Sequence, residues 1–85
     1  MDNQILGLIA AILTTSAYLP QTYKVVKTKS AKDFSWIWLI FMWIGIFLWF
    51  IYGLRINNLP LILANGISII SLTIIGIVKY VYRQS

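Results

Sequence analysis

Two side chains in the apolar stretches of this sequence, Trp49 and Asn65, could hold a polar but uncharged ligand. A primary amide in hydrocarbon costs roughly a few kcal/mol unless it finds partners, so Asn65 must face protein or a water-filled cavity. Trp49 lies about six residues before the tight stretch "RINN" at 55–58, and Asn65 about as far beyond it. On two antiparallel helices rising about 1.5 Å per residue, they reach the same depth. An indole plate beside an amide that both donates and accepts suits a sugar, whose flat apolar face stacks while its hydroxyls hydrogen-bond. Helix–helix packing, with the amide as interhelical glue, explains the same spacing. Covalent catalysis is excluded. The chain has no His, no Cys and only two acids, Asp2 and Asp33, so it offers no nucleophile–base pair and no metal-ligand set. We expect no enzyme, no cofactor and no metal.

The elements that must position these residues follow from composition. The chain has 85 residues, is 60% hydrophobic and 11% charged, and its mean hydropathy is +0.84. A soluble domain of this size could not bury so much apolar side chain. Residues 3–23, 34–54 and 56–78 contain no charged residue at all. As helix, each run spans roughly the 30 Å of a bilayer's hydrocarbon. The expectation is an all-α membrane protein, a single domain over 1–85 with transmembrane helices at about 4–23, 36–54 and 59–81. The first run is expected to be a retained span rather than a cleaved leader, because Asp2 stands where a leader is basic and no small-residue cleavage site follows.

The net charge of +5 reads as a topology signal rather than a nucleic-acid footprint, and no nucleic-acid partner is expected. Lys24, Lys27, Lys29 and Lys32 separate the first two helices, and Lys79 and Arg83 follow or end the third; Arg55 alone occupies the second loop. The positive-inside rule then puts the first loop and the C-terminus in the cytoplasm, and the N-terminus and second loop outside. This arrangement describes a multi-pass protein of the cell (inner) membrane. The linker "VVKTKSAKDFS" at 25–35 offers Ser30 and Asp33 to cap or turn the chain before the second helix, and Pro60 suits the first turn of the third.

At about 100° per residue, Trp38, Met42, Gly45, Trp49 and Tyr52 share one side of the second helix. Trp36, Trp43, Phe47 and Phe50 fall on the other, which is assigned to lipid. In the third helix Asn65, Ser68, Leu72 and Gly76 share a face; in the first, Gly7, Ala11, Thr14 and Tyr18 form a small-residue stripe that permits close approach. Pro20 sits inside the first apolar run and deprives the Ser16 carbonyl of its helical partner. A membrane helix tolerates this where neighbours or water re-satisfy the carbonyl, and the weakened turn is a natural hinge.

Four motifs in order, "YLPQ" at 18–21, "KDFS" at 32–35, "LWFIYG" at 48–53 and "LPLILANG" at 59–66, resemble the SemiSWEET sugar transporters, the half-size prokaryotic members of the SWEET family. The resemblance covers nearly the whole chain. It implies a three-helix bundle with the third helix between the first two, paired as a parallel homodimer of 3+3 helices around a central pathway. It further implies that Trp49 and Asn65 contact the sugar, that the Pro20–Gln21 pair is the hinge, that Tyr52 and a loop arginine close the outer side, and that Trp38 and Met42 close the inner one. Transport would be facilitated diffusion of a mono- or disaccharide by alternating access.

The chain departs from similar proteins in the outer loop. They commonly read Arg-Ser-Asp before the "LP" of the third helix, whereas this sequence puts Arg55 one residue early, Ile56 in the arginine's place and Asn58 in the carboxylate's. An outer gate of Tyr52, Arg55 and Asn58 must therefore close without an ion pair. Two other functions compete: a carrier of another small solute such as an amino acid, which often uses a membrane carboxylate that these spans lack, and a non-transporting membrane subunit, which needs no polar pocket.

Overall fold

The computed structural model describes residues 3–82, so Asp2, which enters the argument against a cleaved leader, and Arg83, which enters the orientation argument, lie outside the described residues. Three helices follow in order: α1 (Asn3–Thr28), α2 (Trp36–Arg55) and α3 (Leu59–Val81). Each is long and apolar enough to cross a membrane. Exposed side chains such as Phe41 and Ile37 are therefore at home against lipid rather than a liability.

α1 continues five residues beyond the expected end at 23. At about 39 Å it outruns the hydrocarbon, and its last turns reach water because the lysine stems can snorkel; Lys27 Nζ lies 5.6 Å over the Tyr23 ring one turn back. The helix stops where Lys29 turns left-handed, with φ 55°. The Ser30 N–H then donates to the Val25 carbonyl at 3.3 Å, the bond that closes such a helix end. α2 ends the same way. Asn57 has φ 53°, and Asn57 and Asn58 N–H groups donate back to the Leu54 and Gly53 carbonyls. Asparagine suits this position; lysine lacks its short polar side chain.

The N-cap of α2 is Ser35, not Ser30 or Asp33. Its hydroxyl accepts from the Trp38 N–H at 3.0 Å, because a cap must immediately precede the first helical residue. Asp33 instead lies in a turn closed by Phe34 N–H to the Ala31 carbonyl. Asn58 caps α3, accepting from the Leu61 N–H at 3.1 Å, and Pro60 occupies the first turn as anticipated.

α3 packs against both α1 and α2, whereas those two bring no Cα atoms within 8 Å of each other among the described residues. The bundle is therefore a V with α3 at its vertex, 47 Å long and 14 Å thin. Gly53 sets the closest approach: a Cβ there would lie 2.9 Å from the Leu61 Cβ. Toward the α1–α2 loop the V is filled by Leu39, Leu72, Ile75 and Val78, with Tyr18, Phe34 and Met42 packed on them. The loop itself is fastened to the end of α3. Lys79 Nζ donates to the Ala31 carbonyl at 3.4 Å and sits 5.7 Å over the Trp36 ring, while Lys29 Nζ lies 5.9 Å over Tyr82.

The α2 faces need correcting. Its buried residues are Leu39, Ile46 and Gly53, a ridge that lies on α3. The two aromatic sets are its flanks rather than an inner and a lipid side. Trp43 is tied to α3, its Nε1–H donating to Thr73 Oγ1 at 3.0 Å, and its ring stacks on Phe47 at 5.3 Å. The Phe50 ring approaches Gly66, 3.2 Å from where a Cβ would stand. An indole N–H cannot be left bare in hydrocarbon, which is why Trp43 turns toward the hydroxyl.

Candidate functional site

The open end of the V forms a cleft of about 680 Å³ bounded by all three helices. One wall is the small-residue stripe of α1, with Gly7, Ala11, Thr14 and Tyr18 all lining it. The opposite wall is the α2 flank carrying Met42, Gly45 and Trp49. Asn58, Asn65 and Ser68 contribute from the α3 side. The narrow wall residues leave the room: no atom comes within 4 Å of a Cβ built on Gly45. The face predicted on α3 splits here. Asn65 and Ser68 line the cleft, whereas Leu72 is buried in the core and both it and Gly76 border a separate groove beside Trp36 and Trp43. α2 lies across the half of that face nearer the α1–α2 loop, so equal angle on α3 does not give an equal neighbourhood.

Trp49 and Asn65 thus border one cavity. Asn65 spends one amide hydrogen on the Leu61 carbonyl at 2.8 Å, which keeps the side chain along its own helix. Its Oδ1 accepts no hydrogen bond among the described residues, and the Trp49 N–H donates none. Trp49 is 53% exposed, braced edge-on by Tyr52 with ring centroids 5.7 Å apart. Tyr52 lines a recess continuous with Gly45 and Trp49 rather than the main cleft. Arg55 ends α2, and the Oδ1 of Asn58 is already engaged in capping, with a second lone pair to offer.

At the other end Met42 lines the cleft and packs on the core, and Trp38 leans on Phe34 with ring centroids 5.7 Å apart. Pro20 lies within a continuous α1, and Gln21 borders a second cleft near the loop. Sequence reasoning placed Tyr18 and Ser68 on helix faces without seeing their hydroxyls as part of the cavity. Their position on the same stripes as Thr14 and Asn65 was the available signal. Thr14 offers less than it seems, since its hydroxyl bonds the Ala10 and Ala11 carbonyls of its own helix. The cavity can therefore stack a flat apolar face and exchange a small number of neutral hydrogen bonds. Among the described residues, its walls carry no ionisable group but the Tyr18 phenol.

The PQ loop repeat family matches residues 3–62. The chain is 44% identical over 75 residues to the sugar transporter SemiSWEET of Leptospira biflexa, covering 88% of this chain and 87% of that protein. It is 43% identical over 67 residues to the SemiSWEET of Bradyrhizobium diazoefficiens, covering 79% and 78%. A crystal structure of a bacterial homologue of SWEET transporters superposes with a TM-score of 0.84 at 51% identity, over 94% of this chain and 96% of that one. With cleft, helix order and sequence in agreement, the chain belongs to the PQ-loop family, in its SemiSWEET sugar transporter branch.

Proposed function

We propose that this chain is a passive sugar carrier that works as a parallel homodimer. Two copies face each other cleft to cleft and alternate access to a central pocket of two Trp49 and two Asn65. The observation that carries this reading is that the cleft, open along one side of a single chain, is walled by an unspent indole N–H and an unspent amide carbonyl. A second copy related by a two-fold axis would close the open side and supply the same groups again. SWEET transporters are themselves an established case of parallel repeats related by an axis along the membrane normal, so that symmetry is the family's and not a deduction from this chain. Relatives described as sugar transporters support the class of cargo. Uptake of labelled glucose and sucrose into liposomes containing only this protein tests it, and absence of uptake of both would overturn it.

In this reading Tyr52, Arg55 and Asn58 close the outer side, Trp38 and Met42 the inner side, and Pro20–Gln21 is the hinge between states. The first loop and C-terminus face the cytoplasm. Because residues 3–23, 34–54 and 56–78 carry no acid, lysine, arginine or histidine, no carboxylate, amine or imidazole within the hydrocarbon can ferry a proton. Uptake is expected to be indifferent to a protonophore and to an imposed pH gradient. Accumulation above the external concentration that a protonophore abolishes would rule out facilitated diffusion.

The outer gate supplies a second expectation. Hydrogen bonds from Arg55 to neutral acceptors are weaker than a bidentate carboxylate pair. Asn58→Asp would keep the α3 cap with one oxygen and offer the other to Arg55 across the two-fold axis. The substitution should shift the resting population toward the outward-closed state by about 1 kcal/mol for a solvent-accessible pair. Spin labels at the outer ends of the two α2 helices should move closer together. No shortening would remove Arg55 from the gate.

A further inference from the structure

The second cleft, about 600 Å³ at the loop end of the molecule, is bordered by Gln21, Lys24, Ser30, Lys32, Asp33 and Phe34. The lysines of this end divide into two kinds. Lys27, Lys29 and Lys79 are each spent over an aromatic ring, Tyr23, Tyr82 and Trp36 respectively. Lys24 and Lys32 make no ion pair, ring contact or side-chain hydrogen bond among the described residues, and both border this cleft. Lys24 comes from α1 and Lys32 from the loop, so two unspent lysines from different elements border one cavity. Gln21 and Ser30 also border it, and their side chains carry an amide and a hydroxyl able to donate. Asp33 is the one acid there and leaves the side chains net positive by one.

We propose that this cleft binds the phosphate of a hydroxylated phosphate ester. Lys24 and Lys32 would meet the phosphate oxygens as point charges, with Gln21 and Ser30 adding neutral donors. Asp33 would accept from a hydroxyl on the alcohol part of the ester, which explains an acid in an otherwise cationic cavity. Two sources offer that chemistry, the glycerol headgroup of an anionic phospholipid and a soluble sugar phosphate. Either ligand would tie the last turns of α1, directly after Pro20, to the α1–α2 loop. The proposal stands apart from the sugar pocket and is read out without transport.

The full chain in neutral maltoside micelles is the test, with the thermal unfolding midpoint as the measurement, since a ligand of the folded state alone raises it. One arm titrates phosphatidylglycerol against phosphatidylcholine of the same chains; the other titrates glucose 6-phosphate against glucose at matched ionic strength. A saturable rise with phosphatidylglycerol identifies the lipid as source, and one with glucose 6-phosphate the soluble ester. Lys24→Gln and Lys32→Gln should each raise the half-saturating concentration about tenfold, as losing a charge-assisted bond does. Lys27→Gln, with its charge spent over Tyr23, should change it less than about twofold. If a glutamine variant does not fold, the wild type decides alone: half-saturation must rise with added NaCl. No saturable rise in either arm, salt-independent binding, or an equal effect of Lys27→Gln would overturn the site.

Discussion

Trp49→Ala and Asn65→Ala are each expected to abolish sugar uptake while leaving the protein folded. Stacking and amide hydrogen bonds of this kind are worth about 1–3 kcal/mol each. In the proposed two-fold pocket every substitution is made twice, so the loss is about 2–6 kcal/mol, or roughly 30-fold to more than 10⁴-fold in affinity. The fold should survive both changes. The Leu61 carbonyl that Asn65 bonds is an ordinary helical acceptor at i−4 and is not orphaned when the side chain goes. Trp49 is half exposed in the single chain, and its one ring partner there is Tyr52. Labelled uptake and equilibrium sugar binding, measured beside the size of the detergent-solubilised protein, expected to be the proposed dimer, check the expectation. Wild-type uptake by both variants would remove the pocket; loss of the dimer in either would make the residue an interface contact.

Pro20→Ala should act on rate rather than on binding. The substitution returns an N–H to the Ser16 carbonyl and stiffens α1 midway between Thr15, buried against its neighbours, and Val25, anchored in the core. An interior proline costs roughly 3 kcal/mol relative to alanine in a soluble helix, and less where a membrane environment re-satisfies the carbonyl. Folding should hold or improve, sugar binding should change little, and transport should slow because opening one side now breaks a made bond. Stopped-flow uptake beside equilibrium binding separates the outcomes. A weakened dimer with proportionate loss of uptake would mean that Pro20 only shapes a static bend.

The three spans were legible because the membrane writes its thickness into the sequence as charge-free runs. The end of α1 was not, since Lys24 and Lys27 end the apolar run without ending the helix, and the stop at Lys29 is a backbone conformation that lysine does not advertise. Depth counting put Trp49 and Asn65 at one level, and both border one cavity. The same counting, applied to Trp43 and Thr73, would have found their hydrogen bond; assigning Trp43 to lipid by its angle alone concealed it. Helical angle says which residues share a side, but not where a second helix covers that side. For this reason Asn65 and Gly76 share a face on a wheel and border different cavities. The cavity shared by Lys24 and Lys32 was hidden for a related reason, because charge counting treats five lysines alike while geometry divides them by partner.

The V with α3 at its vertex also governs how the molecule comes into being. Synthesis delivers α1 and α2 to the bilayer first, and among the described residues these two do not bring their backbones within 8 Å of each other. Their close backbone packing waits for the last helix, which lies between them. The third helix is the keystone of the nascent protein: before it enters there is neither a cleft nor a ridge seated in a groove. Tertiary structure therefore forms in one late step rather than helix by helix. Until Leu59–Val81 is in place, the Trp43 indole N–H lacks its Thr73 partner, a costly polarity in hydrocarbon.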